Sequence, residues 1–357
     1  MTVARSPYME WAKRRPVPRI DLATSNLLAC SLDDLPGARE ALDLSGSSPD
    51  GYRPLVEAIA ARYGVLPGNV ATAVGCSGAN FLALAALVET GDEVLFEEPG
   101  YDPLAAAATM LGARVTRFQR RFEDGWRIDP GRIESALSSR TRVVMLSTPH
   151  NPSGVVSTQA ELRELAGIAE KRGVAVIVDE VYLDVASSAH PPAATLSPAF
   201  ISTNSLTKVY GLASLRCGWA LASAQLTERI RRARDVVDVW SPMPADRIAV
   251  VAFRHLDRLA ARARALIAKN TTVVESFLVD RSDLECVPSQ ATIAFPRFRD
   301  GRDSVAFAER LLEEHGVAVV PGSFFDSPSH FRISFGGETA ELANGLTAIG
   351  ARLDAGG

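Results

Sequence analysis

The residues best suited to covalent chemistry in this sequence lie between positions 201 and 219. One lysine, Lys208, stands in a polar loop between two apolar, strand-like runs, with Ser205 before it, Gly211 after it and Arg216 ahead of the second run. An amine in such a place can act as nucleophile or base. A hydroxyl and a guanidinium close by can hold an anion. A lone lysine in a glycine-containing loop is usually just solvated, so the chemistry gains weight only if other parts of the chain bring complementary groups.

Three other loops bring them. After the apolar run 70–74 comes Ser77-Gly78-Ala79 at the start of a helix, where free backbone N–H groups, a hydroxyl and the helix dipole make an anion site. A plain N-cap is the simpler reading of that stretch alone. After 142–146 comes Pro149-His150-Asn151-Pro152-Ser153-Gly154, whose prolines and glycine fix the backbone around Asn151, leaving its amide to donate to an oxygen. After 174–178 come Asp179-Glu180-Val181-Tyr182. A carboxylate ending an apolar strand costs desolvation unless a cationic or proton-donating partner meets it. A pyridinium nitrogen is such a partner, and a helix cap is the alternative. Reactive amine, anion cradle and buried carboxylate together are what pyridoxal phosphate requires.

These groups need a scaffold that gathers strand ends. In an open α/β sheet the ligand lies beyond the carboxyl ends of the strands. The spacing predicts a helix over 53–63 that stops at Gly64, a strand at 70–74, and an all-round apolar, buried helix over 80–90. Strands at 93–96, 114–118, 142–146, 174–178, 200–203 and 219–222 follow, with helices at 103–112 and 159–172 between them. Short apolar strands alternating with helices predict a mostly parallel sheet covered by helices on both faces. Beyond about 245 the pattern changes to one long helical stretch, 248–279, then strands at 292–295 and 331–335 and helices at 304–315 and 339–353. The expected organisation is an α/β large domain over 46–245 and a smaller α+β domain over 246–357. Residues 1–45, rich in turn formers, form an N-terminal arm that contributes to the small domain.

A net charge of −4 gives no global reason to expect nucleic acid or membrane as partner. The basic run Arg231-Arg232-Ala233-Arg234 reads as a solvated helix face. Four cysteines, Cys30, Cys76, Cys217 and Cys286, are scattered without a Cys-x-x-Cys pair, and the five histidines show no ligand spacing. No metal site or disulfide framework is expected, and a cytoplasmic location fits. The first residues carry no signal-peptide pattern, and no apolar run approaches membrane-spanning length.

In order, spacing and context the motifs resemble fold-type I pyridoxal phosphate enzymes, in particular the class I/II aminotransferase superfamily, over roughly residues 50–340. The resemblance implies that Lys208 forms the internal aldimine and then shuttles a proton, and that Asp179 pairs with the pyridinium nitrogen. It implies that Asn151 and Tyr182 hydrogen-bond the cofactor 3′-oxygen. Ser77, Gly78, Ala79, Ser205 and Arg216 match phosphate-binding positions, Tyr101 after Pro99-Gly100 matches the ring-stacking aromatic, and Arg332, with Asn151, matches the grip on the substrate α-carboxylate. Lys208 beside Arg216 and a cationic cofactor is expected to have a lowered pKa. The implied reaction is ping-pong transfer of an α-amino group from an L-amino acid to a 2-oxo acid, in a homodimer whose sites are completed across the interface.

One position departs from the family. Many members carry a tyrosine about five residues before the Gly51-Tyr52 position, reaching the partner's cofactor phosphate, and here Gly46 stands there. The same site groups also serve elimination of the C–S lyase type, decarboxylation and amino-acid oxidation. The 207–216 string is similar to histidinol-phosphate aminotransferases as well. A ligand-sensing regulator of the same fold is disfavoured by the short arm, and a dead relative by the presence of Lys208 and Asp179. Arg19, Tyr52 and Arg53 are candidates to line the side-chain pocket.

Overall fold

The computed structural model describes residues 4–355. Its first helix, α1 (Pro7–Arg14), is capped by the Ser6 hydroxyl and has proline at its first position. A short strand β1 (Ile20–Asp21) and helix α2 (Arg53–Tyr63) follow. The α2 helix ends where expected, at Gly64 in the left-handed region.

A seven-stranded sheet comes next. Its members in chain order are β2 (Val70–Val74), β3 (Glu93–Glu98), β4 (Arg114–Gln119), β5 (Thr141–Ser147), β6 (Ala175–Asp179), β7 (Phe200–Ser205) and β8 (Cys217–Leu221). In space they run β2-β8-β7-β6-β5-β3-β4, with β8 alone antiparallel to its neighbours. Helices α3 (Gly75–Leu87), α4 (Asp102–Met110), α5 (Pro130–Ala136), α6 (Gln159–Arg172) and α7 (Ala224–Val237) complete this part.

Residue alternation explains why the strands read as unbroken apolar runs. Val94, Phe96, Val143, Met145 and Ile177 face α3, α4 and α7. Their neighbours Leu95, Val144, Leu146, Val176 and Val178 face α5 and α6. Both faces are buried, so both sets must be apolar.

The remainder holds α8 (Met243–Arg254), α9 (Leu256–Val279), β9 (Leu284–Glu285), β10 (Ile293–Ala294), β11 (Arg297–Phe298), α10 (Ser304–His315), β12 (Val317–Ala318), β13 (Val320–Pro321), β14 (Phe331–Ser334) and α11 (Thr339–Asp354). Strand β1 pairs in parallel with β12, and Ser334 donates its N–H to Leu22, so the arm is stitched to these late strands.

Four expectations change. The arm contains α1, and α3 starts at Gly75, five residues earlier than the apolar pattern shows, so the Cys76-Ser77-Gly78 turn lies inside the helix. The stretch 248–279 is two helices broken at His255. The basic run is only partly solvated. Arg232 pairs with surface carboxylates, whereas Arg234 is buried, donating to Thr72 Oγ1 (2.8 Å) and the Pro49 carbonyl (2.9 Å).

Candidate functional site

The expected strand ends converge on one cavity of about 380 Å³. Ser77 follows β2, Tyr101 follows β3, Asn151 follows β5, Asp179 ends β6 and Tyr182 follows it. Ser205, Lys208 and Arg216 come from the end of β7 and the loop beyond it, and all eight residues line the cavity. They meet because five of the strands point their carboxyl ends the same way.

The Lys208 amine donates to Asn26 Oδ1 (2.8 Å) and to Ser25 Oγ (3.2 Å), both from the arm. Burial, followed by the Arg332 charge, pushes its pKa down to about 8, against the opposing pull of Asp179. Arg216, which the sequence points to as the cause, ranks behind these. Asp179 is held from both sides. Asn80 Nδ2 donates to Oδ2 (2.8 Å), while the Val181 N–H (3.1 Å) and the Cys76 thiol (3.4 Å) donate to Oδ1. Thr203 Oγ1 in turn donates to Asn80 Oδ1 (2.6 Å). Burial still raises the Asp179 pKa, the response of a carboxylate whose surroundings offer hydrogen bonds but little positive charge.

Arg332 is fully buried in β14. Its Nη1 donates to Asn151 Oδ1 (2.7 Å), and its Nη2 donates to the Tyr8 hydroxyl and the Ala23 carbonyl (both 2.9 Å). Asn151 therefore presents its oxygen to Arg332. Behind it the Asn151 N–H donates to Ser147 Oγ (3.0 Å), and Ser147 donates through its N–H (2.8 Å) and hydroxyl (2.5 Å) to Glu97. Glu97 pairs with Arg120 at 2.9 Å, and both side chains are wholly buried. Arg120 also donates to the Trp126 carbonyl (2.6 Å).

An anion cradle is built at the start of α3. Arg216 sits in the left-handed region (φ 50°), and its carbonyl accepts the Gly75 N–H (2.7 Å). A Cβ on Gly75 would collide with the Arg216 guanidinium, so glycine is what lets the guanidinium lie against the helix start. The Cys76 and Ser77 amides fall among the first-turn N–H groups that have no helical partner. Thr207 Oγ1 is buried at the cavity wall and makes no hydrogen bond among the described residues. Pyridoxal phosphate fits this set, since its aldehyde needs an amine, its ring nitrogen a counter-charge and its phosphate a cradle of donors. Among the described residues no group of three or more side chains could hold a metal ion.

Several expected residues stand elsewhere. Gly78 and Ala79 do not line the cavity, because they lie deeper in α3 and the Ala79 side chain packs into the core against the sheet. Arg332 is also behind the wall, covered by the Tyr8 and Phe325 rings at 5.5 and 5.2 Å. The Tyr182 hydroxyl donates to Ser25 Oγ (2.8 Å). None of Arg19, Tyr52 and Arg53 reaches the cavity. Arg19 donates to the His315 carbonyl, Arg53 pairs with Glu57 on the surface, and Tyr52 lies under Arg247. Gly46 has φ 133°, a backbone conformation in which a tyrosine would be strained.

Tyr8, Ser25, Asn26, Cys76 and Asn80 are site residues that sequence reading passes over. For Asn80 a signal exists, a polar amide inside a helix that is otherwise apolar on all sides and must find a buried partner. For Ser25 and Asn26 none exists.

The family model for aminotransferase class I and II matches residues 41–349. A protein named capreomycidine synthase from Streptomyces vinaceus is 36% identical over 309 residues, 85% of this chain and 79% of that one. Methionine aminotransferase from Escherichia coli is 30% identical over 300 residues, 77% of this chain and 75% of the other. A solved structure of a PLP-dependent aminotransferase from Streptococcus suis superposes with a TM-score of 0.93 at 26% identity, covering 99% of both chains.

Proposed function

The chain belongs to the class I and II aminotransferases, pyridoxal phosphate-dependent transferases that move an amino group from an amino acid to a 2-oxo acid, and we propose that Lys208 carries the cofactor and the proton. The observation that supports this reading is one cavity walled by the Lys208 amine, the Asp179 carboxylate, the Arg216 cradle and Asn151. When bound, pyridoxal phosphate supplies the electron sink for a carbanion at the substrate α-carbon.

The chain's residues divide the remaining work. Asp179 is the counter-ion for the ring nitrogen, and Asn80 and Cys76 keep its carboxylate turned to the cavity. Ser77, Ser205, Arg216 and the first-turn amides of α3 would hold the phosphate, and Tyr101 is the aromatic side chain that would cover the ring. Gly78 lies behind this end in α3, and Ala79 supports it by anchoring the helix in the core. Arg332 and Asn151 bind the α-carboxylate, with the Tyr8 hydroxyl giving up its Arg332 bond. Lys208 takes the proton from the α-carbon and carries it, which a lysine pushed down to about 8 can do near neutral pH. Met9, Ala12, Pro103, Leu104 and Ala107 make an apolar part of the wall, and Lys208 and Arg216 are the only cations among its described residues. That lining argues against a donor with a second carboxylate.

Amino acids added singly to the holoenzyme, without any oxo acid, test the reading. The expected result is loss of the visible cofactor band together with stoichiometric release of the matching 2-oxo acid. Release of ammonia, hydrogen sulfide or carbon dioxide, or uptake of oxygen, moves the enzyme to another reaction on the same scaffold. The relative named a synthase and the glycine at position 46 keep that second reading alive.

We also propose a cytoplasmic homodimer with an arm at 1–45, a cofactor domain at 46–245 and a small domain at 246–357. Four unpaired cysteines suit the location, and no described helix is long and apolar enough to cross a membrane. Support for the dimer is a set of exposed apolar side chains at 44 and 236–240. Leu44 (85% exposed), Val236 (86%), Val239 (61%) and Trp240 (51%) face solvent. Bonds from Arg247 to the Ser45 carbonyl and between Ser48 and Ser241 tie their two loops together. Such a patch marks an interface. The double variant Val236→Asp/Trp240→Asp is expected to elute as a monomer with unchanged helix content, and an unchanged dimer would place the interface elsewhere.

A further inference from the structure

Residues 22–30 run alongside the lysine loop and are fastened to it through the backbone. The Leu27 N–H donates to the Lys208 carbonyl (3.1 Å), and the Cys30 N–H donates to the Gly211 carbonyl (2.9 Å). Gly211 allows this approach, because a Cβ there would run into the Leu28 carbonyl. On the other side Leu28 donates to Gly336 (3.2 Å), and Ser334 donates to Leu22 (2.7 Å). Ser25 and Asn26 are thus held between two fixed strips of backbone, with their side chains against the Lys208 amine.

Donor and acceptor arithmetic constrains what they do there. An ammonium can only donate, so Asn26 must turn its oxygen to it. Ser25 Oγ accepts from Tyr182 (2.8 Å) and from Nζ (3.2 Å), which uses both lone pairs and leaves its own proton unspent. Once Nζ has lost a proton, its two remaining N–H groups still donate to Asn26 and Ser25, and its lone pair is left free to face the cavity. The pair therefore accommodates both protonation states of the amine without moving it.

We propose that Asn26 and Ser25 are positioning residues that hold the free Lys208 amine, fixing its direction in the cavity whenever it is not joined to the cofactor. The proposal rests on the reading of Lys208 given above. A proton taken by Nζ forms one new N–H, while the other two stay met by the amide oxygen and the hydroxyl. The electron pair stays with the substrate and passes to the bound cofactor. The charged and titratable groups around the amine are Asp179 on β6, Cys76 on α3, Arg216 beyond the lysine loop and Arg332 on β14, with Tyr182 acting through Ser25.

The test uses full-length protein freed of cofactor and the rate at which added pyridoxal phosphate develops its lysine-dependent visible band, followed across pH. Only the neutral amine reacts, so the midpoint reports Lys208, near about 8 in the parent protein. Asn26→Ala removes an acceptor from the charged form and is expected to lower the midpoint by roughly half to one pH unit. Asn26→Asp adds a negative charge and is expected to raise it by roughly one unit. Ser25→Ala shifts it less, and downward. In the reloaded Asn26→Ala enzyme, exchange of the substrate α-proton with solvent deuterium slows about tenfold at unchanged KM. Midpoints that stay at the parent value, or that move in the same direction in Asn26→Ala and Asn26→Asp, overturn the proposal even if melting temperatures change. A parent protein whose band survives Lys208→Ala overturns the Lys208 reading instead.

Discussion

Lys208→Ala is expected to lose the lysine-dependent visible band of added pyridoxal phosphate and to lower turnover by about 10⁴-fold or more. The size follows from the number of tasks assigned to one amine, since nucleophile and proton carrier are removed together and no other lysine lines the cavity among the described residues. Lys208→Arg is expected to fare little better, because a guanidinium stays protonated and cannot accept the α-proton. Small primary amines added to the alanine variant restore part of the proton transfer, more with rising pH as the free base becomes available. In the parent enzyme the acidic limb of the rate profile rises toward about pH 8, where the buried lysine loses its proton. Lysine-independent colour with full activity in the alanine variant would remove Lys208 from the mechanism.

Glu97→Ala is the largest expected effect away from the cavity wall, a loss of about 3–5 kcal/mol of stability. The substitution leaves the Arg120 guanidinium buried without its counter-charge and takes the acceptor from both the N–H and the hydroxyl of Ser147. Urea or thermal unfolding of the cofactor-loaded protein reads the change. Glu97→Gln combined with Arg120→Met is expected to cost less than Glu97→Ala alone, since it removes the orphaned charge and keeps an acceptor for Ser147. Ser147 also positions Asn151, so KM for the amino acid rises in Glu97→Ala through a looser Asn151–Arg332 pair. An alanine variant as stable as the parent would show that the pair is no asset to this fold.

The same buried pair shows why part of the site was not legible. Arg120 belongs to a run of Arg114, Arg117, Arg120 and Arg121 near an edge strand, where charge ordinarily means solvent, and nothing local says that Glu97 waits beneath it. Arg234 is a similar case on α7, its guanidinium covered by the 48–49 turn and β2. The helix break at His255 has neither proline nor glycine to announce it. The first helix was announced, by Ser6 and Pro7, but among so many turn formers the signal did not stand out.

By itself the sequence determined the strands, most of the helices, and the loops that deliver Lys208, Asp179, Asn151 and Arg216. These depend on local physics. A strand buried on both faces must be apolar throughout, and a polar loop at its carboxyl end must contain the groups it presents. Only the tertiary structure decided what each group touches. The amine of Lys208 is held by residues 182 and 183 positions away, Asp179 by Asn80, and Arg332 by the hydroxyl of Tyr8. Periodicity reports that a face is buried but not which distant segment covers it, because that choice is made by packing between elements that share no stretch of chain.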